Sequence, residues 1–372
     1  MNRTYVAVLA CVALIAVISA KNASSRSAEP GRVIRTDNMH ARRADHTSTL
    51  LRDGRVLITG GMVENGVFLK SSELFDPKKD AFVATDGMRS NRVEHAATLL
   101  PNGTVLITGG LSSRTFDGPG VMASTEIFDP ATDHFIAGPS MRTARTAQGA
   151  VMLPNQKVLI VGGEDNSGPL ASAEIYDPAS NRFDATTSMH TARIGRTAVV
   201  LKDGRVLVTG GGNGRSAEVY DPNSARWNVV GDMTTVREKF AATLLPDGRV
   251  LITGGSPDSQ WHPMRSAEVF DPRTNKFTAS AEMGCARFKL PAAAVDLTDG
   301  DVLVAGGASE AEVYDGTTAR FLRARGDLTE AHFFAAATRL NDGRVLITGG
   351  YGYPNGRPNG PISTERAWVY QP

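Results

Sequence analysis

Two absences bound what this chain can be. Of its 372 residues only Cys11 and Cys285 are cysteines, and Cys11 sits in the apolar amino-terminal run. Once that run is removed no intrachain disulfide can form, so the domain must hold together by packing alone. Cys285 then reads as a small buried hydrophobe rather than a nucleophile. The second absence is net charge. With 40 Lys and Arg against 39 Asp and Glu, a formal charge of +1 gives no global attraction to nucleic acid or to an anionic membrane surface. Any charge argument has to be local.

The chain also lacks a membrane-length apolar segment. Arg3 precedes an apolar run from Tyr5 to Ile18, followed by Ser19, Ala20 and a polar stretch from Lys21 to Pro30. This order reads as a secretory signal over residues 1–20, cleaved near Ala20, with residues 21–30 as a flexible linker. An uncleaved anchor would need about 20 apolar residues. A lipoprotein cleavage at Val8-Leu9-Ala10-Cys11 would leave too little apolar sequence before the cysteine and too much after it. A secreted or periplasmic protein with no membrane span after cleavage is expected.

What the chain has in abundance is one stretch written seven times, complete at Asp203-Gly204-Arg205-Val206-Leu207-Val208-Thr209-Gly210-Gly211. A polar turn leads into a short β-branched and aliphatic run that stops at two glycines, which marks a strand at both ends. The apolar run is continuous, so both faces of this strand should be covered. The first glycines of the pairs are Gly60, Gly109, Gly162, Gly210, Gly254, Gly306 and Gly349, separated by 49, 53, 48, 44, 52 and 43 residues. A period near 50 with several strand signals per unit is that of a propeller blade.

Each repeat opens at Met39, Met88, Met141, Met189, Met233 or Met283, with Leu328 in the seventh. Four residues on come Arg43, Arg92, Arg145, Arg193, Arg237 and Arg287, with His332 last. A first apolar strand, a polar turn and the Val-Leu-Ile strand follow. A third strand reads Glu-aliphatic-aromatic-Asp, as in Glu73-Leu74-Phe75-Asp76, and a fourth holds an aromatic such as Phe82 or Trp227. The seventh repeat stops in its third strand at Tyr370, while Val33 to Met39 lines up with Phe183 to Met189. The amino-terminal strand should therefore complete the last blade and lock the ring. The expected fold is all-β: one seven-bladed β-propeller over residues 31–372.

These residues resemble the kelch repeat family, and the wording Leu245 to Gly255 is similar to the propeller of galactose oxidase and its bacterial relatives. The resemblance implies fold rather than function, because kelch propellers host enzymes, binding modules and scaffolds alike.

In such a ring the loops before the innermost strands surround one mouth of the central channel. Residues expected there are Arg43, Asp45 and His46; Arg92, Glu94 and His95; Arg145 and Gln148; Arg193 and Arg196; Arg237, Glu238 and Lys239; Arg287 and Lys289; and His332. Basic residues outnumber acids, which would attract an anionic ligand. The commoner reading of arginines repeated at one position is instead as blade residues, paired with a neighbouring Glu or Asp or with strand-end carbonyls. His46, His95, Arg196, Lys239, Lys289 and Glu94 break the repeat and carry more information. His46 and His95, with Asp45, Glu94 and His332, could supply metal donors, but no short fixed spacing supports it, so neither a metal nor another cofactor is expected.

The galactose oxidase resemblance would imply copper, a tyrosyl radical cross-linked to cysteine and oxidation of a sugar alcohol, with Arg145 in Met-x-x-Ala-Arg-x-x-Gln resembling that family's sugar-contacting arginine. No Tyr-His pair for the copper is present in the sequence, and the later domain that supplies another histidine is not expected, so the copper chemistry is not carried over. A resemblance to the bacterial periplasmic kelch mutarotase for sialic acid implies an acid and a base at an anomeric hydroxyl, for which Glu94 with His95 or His46 would serve. Three long insertions, Ser112 to Val121, Ser256 to Arg265 with Trp261 and His262, and Tyr351 to Thr364, are further binding candidates. The expectation is a monomeric binding module whose mouth takes a carbohydrate, an anionic small molecule or a protein. The alternative is a sugar-active enzyme.

Overall fold

The structure, a computed structural model, describes residues 29–64, 66–113, 120–195, 197–211, 214–258, 261–353 and 360–372. The chain divides into two units, Met1–Pro30 and Gly31–Pro372. The expected signal, and all of the expected linker except its last two residues, lie outside the described residues. So do Arg196 and the central parts of the three long insertions.

Gly31–Pro372 is all-β, with no helix among the described residues, and its strands form seven four-stranded antiparallel sheets and three two-stranded ribbons. Blade 1 runs Thr47–Leu50, Val56–Thr59, Ser72–Asp76 and Ala81–Thr85, from the inside outward, and blades 2 to 6 repeat that order. In blade 7 the outer strand is Arg32–Arg35, antiparallel to Ala367–Gln371 with Val33 opposite Tyr370. Val33 also donates its N–H to the Arg325 carbonyl behind blade 6, at 2.8 Å. Each inner strand lies beside the inner strands of the blades before and after it.

The continuous apolar run explains the second strands: Val56, Leu57, Ile58 and Thr59 are all buried. Val56 and Ile58 pack against Leu346 and Val369 of blade 7. Leu57 faces the other way, onto Val105, Ile107 and Phe128 of blade 2. The strand ends at Gly60 and Gly61, both with positive φ (61° and 95°). A Cβ on Gly60 would stand 2.5 Å from the Arg92 carbonyl oxygen, so blade 2 can approach only a glycine here.

The six repeated arginines are the internal ties of the blades. Arg237 is fully buried. It donates to the carbonyls of Gly254 (2.8 Å) and Ser266 (2.9 Å), to Ser266 Oγ (2.9 Å), and to Glu268 Oε1 (2.7 Å). Arg43 with Glu73, Arg92 with Glu126, Arg145 with Glu174, Arg193 with Glu218, and Arg287 with Glu312 repeat the pair at 2.7–3.2 Å. Each carboxylate also accepts backbone N–H groups just after the repeat's methionine, as Glu174 does from Arg142 (2.7 Å) and Thr143 (2.9 Å). Burial alone would raise Glu73, but Arg43 and the bonds from His40 hold it below its ordinary range. These arginines, expected at the mouth, are thus enclosed within their own blades, because a buried guanidinium needs a carboxylate and carbonyls around it.

His46, His95 and Gln148 are likewise enclosed, in the seams between blades. His46 Nε2 meets Thr348 Oγ1 at 2.8 Å, His95 Nε2 meets Thr47 and Thr59 hydroxyls at 3.0 and 3.2 Å, and Gln148 Nε2 donates to the Thr108 carbonyl at 2.8 Å. At the same place in blades 5 and 6, Phe240 and Leu290 lie against Gly210 and Gly254. In blade 7 the Arg–Glu pair is replaced on both sides. His332 stands for Arg, and Trp368, opposite Ile347 in the register, stands for Glu. The two rings are 4.6 Å apart, and His332 Nε2 bonds to the Leu328 carbonyl at 2.8 Å.

Two predictions follow from this frame. Arg237→Met should lower unfolding free energy by about 3–5 kcal/mol, since it leaves Glu268 charged and buried, whereas Arg237→Met with Glu268→Leu should recover most of the loss in urea titrations. The second concerns pH. Burial, then the nearby Arg43 charge, pushes His46 down to about 3, and burial pushes His332 down to about 4. Both are neutral when folded but titrate near 6.5 when unfolded, so only the unfolded chain gains protons below that. Their stabilisation is complete above pH 7 and falls by about 1.4 kcal/mol per pH unit per histidine as pH drops from 6.5 towards 4. Urea unfolding between pH 7 and 5 should show this slope, and His46→Gln, copying Gln148, should roughly halve it.

Candidate functional site

Six residues after each repeat's methionine or leucine, the chain turns into the inner strand through a left-handed residue. These are Asp45, Glu94, Ala147, Gly195, Lys239, Lys289 and Phe334, with φ of 56°, 57°, 51°, 138°, 52°, 61° and 56°. For a residue with a Cβ this conformation costs roughly 1–2 kcal/mol, and such strain collects at binding sites. The ring is fastened by its own backbone. Asp45 N–H donates to the Phe334 carbonyl (3.0 Å), Phe334 to Lys289 (2.8 Å), Ala147 to Glu94 (2.9 Å) and Gly195 to Ala147 (3.1 Å). The strain is therefore held by hydrogen bonds from blade to blade.

Within this ring lies a cavity of about 210 Å³ to which six blades contribute. Blades 2 and 3 bring Glu94, Ala147 and Glu164; blade 4 brings Ile194, Gly195, Thr197 and Gly211. Blade 5 adds Glu238, Lys239 and Phe240, blade 6 Pro291 and blade 7 Phe334. Glu94 Oε2 accepts the Thr146 hydroxyl at 3.0 Å. Lys239 is exposed, with its ammonium 5.7 Å from the Phe288 ring centre. Lys289 stands beside the cavity, donating to the Tyr351 hydroxyl and resting 4.1 Å over Trp261.

Of the residues expected at the mouth, the structure brings Glu94, Glu238 and Lys239 to the cavity, with Lys289 next to it. The basic excess expected there is not presented by the described residues: the six arginines are tied internally, and the cavity wall carries Glu94, Glu164 and Glu238 against Lys239. Ala147, Gly195 and Phe334 were passed over because they carry no charge, although counting six from each repeat start finds them. Glu164 was passed over because it follows the double glycine rather than preceding the inner strand; its backbone bonds both ways with Thr146 bring it to the mouth.

The acid–base pairing of Glu94 with His95 or His46 has no geometric support, since both rings are buried and directed to threonines. Arg145, the counterpart of a sugar-contacting arginine, is fully buried on Glu174.

The kelch motif family matches the chain over residues 145–190 and 193–234. No curated protein sequence matches it. Among solved structures, a novel fungal alcohol oxidase with catalytic diversity among the AA5 family, in complex with copper, is similar at a TM-score of 0.72 and 16% identity, over 92% of this chain and 76% of its own. At that identity the likeness is one of fold. The residues do not fit copper. Among the described residues no three His, Cys, Asp or Glu side chains stand together as a donor set. Tyr176, Tyr220, Tyr314 and Tyr370 are buried in third strands. With seven four-stranded sheets around one axis the chain is a seven-bladed β-propeller, and its blades 3 and 4 match the kelch motif.

Proposed function

We propose that this propeller is a carbohydrate-binding module that holds one sugar ring in the mouth cavity. The observation that carries the reading is the composition of that wall. Glu94, Glu164 and Glu238 offer acceptors, Lys239 and Thr197 offer donors, and Phe334, Phe240, Ile194 and Pro291 offer apolar surface. A pyranose presents the same mixture, hydroxyls around its edge and C–H groups on its faces. At about 210 Å³ the cavity is smaller than the roughly 300–1,000 Å³ of sites for drug-sized ligands, which suits a single ring. The strained ring of left-handed residues keeps these groups in place before a ligand arrives. An anionic ligand is less well supported once the arginines are tied to their own glutamates. Secretion belongs to the proposal too, on the pattern of Arg3, the apolar run and Ala20.

The test is a thermal-shift series with glucose, galactose, mannose, N-acetylglucosamine and sialic acid. A ligand that binds only the folded state adds about 2.7 kcal/mol of stability at one hundred times its Kd. At least one neutral sugar should raise Tm, and Lys239→Ala or Glu94→Gln should weaken its binding tenfold or more. A shift with sialic acid alone would favour the anionic reading, and no shift with any of these sugars would overturn the proposal.

A further inference from the structure

The cavity does not stand alone. On the side of blades 5 to 7 it runs into a group of aromatic rings: Trp261, Phe288, Phe333, Phe334, Tyr351 and Tyr353. Phe334 belongs to the cavity wall, and its ring centre is 6.1 Å from that of Tyr351. Tyr353 is 5.7 Å from Tyr351 and 5.4 Å from Trp261, and Trp261 is 4.9 Å from Phe333 and 5.6 Å from Phe288. Lys239, also on the wall, reaches over Phe288. Phe288 and Tyr351 are buried, and Tyr351 belongs to a core group with Ala44, Met62, Phe68 and Val93 onto which Trp261, Phe333, Phe334 and Tyr353 pack. Trp261, Phe333, Phe334 and Tyr353 instead each keep part of their surface open to solvent.

We infer that these rings form a second subsite, so that the ligand is an oligosaccharide of at least two units, one seated in the cavity and the next against the aromatic group. The inference rests on the carbohydrate reading above and deepens it. The cavity has room for one ring, so any further unit must leave it. The only aromatic surface next to the cavity among the described residues lies towards blades 5 to 7; blades 2 to 4 meet it with Glu94, Ala147, Glu164 and Ile194. Aromatic rings suit the C–H face of a sugar because they give a large apolar contact with little side-chain entropy to lose. This group is also held rigid. The Lys289 ammonium sits over Trp261 and is hydrogen-bonded to Tyr351, and the backbones of Phe333 and Tyr351 bond to each other both ways at 2.9 Å.

Calorimetric titration of the protein with matched sugars tests this: glucose with cellobiose and maltose, galactose with lactose, N-acetylglucosamine with chitobiose. For a sugar that binds, the disaccharide should bind at least tenfold more tightly than its monosaccharide. Trp261→Ala should bring the disaccharide down to the monosaccharide's affinity. Tyr353→Ala, at a more peripheral ring, gives the same readout if Trp261→Ala does not fold, and Ile136→Thr on the outer strand of blade 2, where Ile136 is 58% exposed, should change neither affinity. Equal binding of mono- and disaccharide would overturn the second subsite and leave the one-ring reading standing. A disaccharide advantage that survives both aromatic variants would overturn the assignment to these rings. No binding by any sugar would overturn both readings.

Discussion

Six blades depend on one buried contact, a guanidinium four residues after the repeat's first methionine lying against the glutamate of its third strand. Moving either charge out of water costs several kcal/mol, and the pair is tolerable because neighbouring carbonyls, hydroxyls and amides bond most of the remaining donors and acceptors, although the Nε of Arg43, Arg145 and Arg193 stays buried without a partner among the described residues. The glycine carbonyl at the end of the second strand, the serine of the next loop and the amides after the methionine meet that need. The loop leading into the inner strand is thereby fixed to the blade behind it. Its direction at the channel mouth, including the left-handed turn two residues later, follows from that anchorage.

Because the anchorage is repeated, the mouth can vary. Position six keeps a φ of 51–61° in six repeats, with Gly195 of blade 4 at 138°, while its side chain changes from Asp to Glu, Ala, Gly, Lys, Lys and Phe around the ring. The scaffold holds the turn, and the side chains that it carries inward differ from blade to blade. That division lets a symmetric fold present an asymmetric site, acidic on one side and aromatic on the other. In blade 7 the anchor is rebuilt as a unit: His332 and Trp368 replace both partners of the ion pair together, leaving no unpaired charge.

The sequence made the frame legible because a period near 50 repeats every punctuation mark. The double glycines, the Asp-Gly-Arg turns and the Glu-Val-Tyr-Asp strands each report a backbone requirement. The site was less legible. Charge at Arg43 or Arg145 is compatible with the mouth, although its repetition favours the blade interior, and the glutamate that decides between them lies about 30 residues downstream, at Glu73 and Glu174. His46 and His95 broke the repeat but, like Gln148, serve the seams between blades, where each reaches a threonine or its carbonyl on a neighbouring strand. Phe334 and Ala147 were invisible to a search for charge, since what marks them is a left-handed φ. Glu164 lies beyond the second strand, and only the return of that loop to the axis brings it to the mouth, whereas Trp261 was legible in the sequence as part of a long insertion.

The measurement that bears most directly on this account is a crystal structure of the protein grown with a neutral disaccharide. Density for a sugar ring bounded by Glu94, Lys239 and Phe334, with the six arginines still bonded to their glutamates, is the predicted result. A ligand elsewhere on the propeller, or an arginine such as Arg145 released from Glu174 to contact it, would contradict the account.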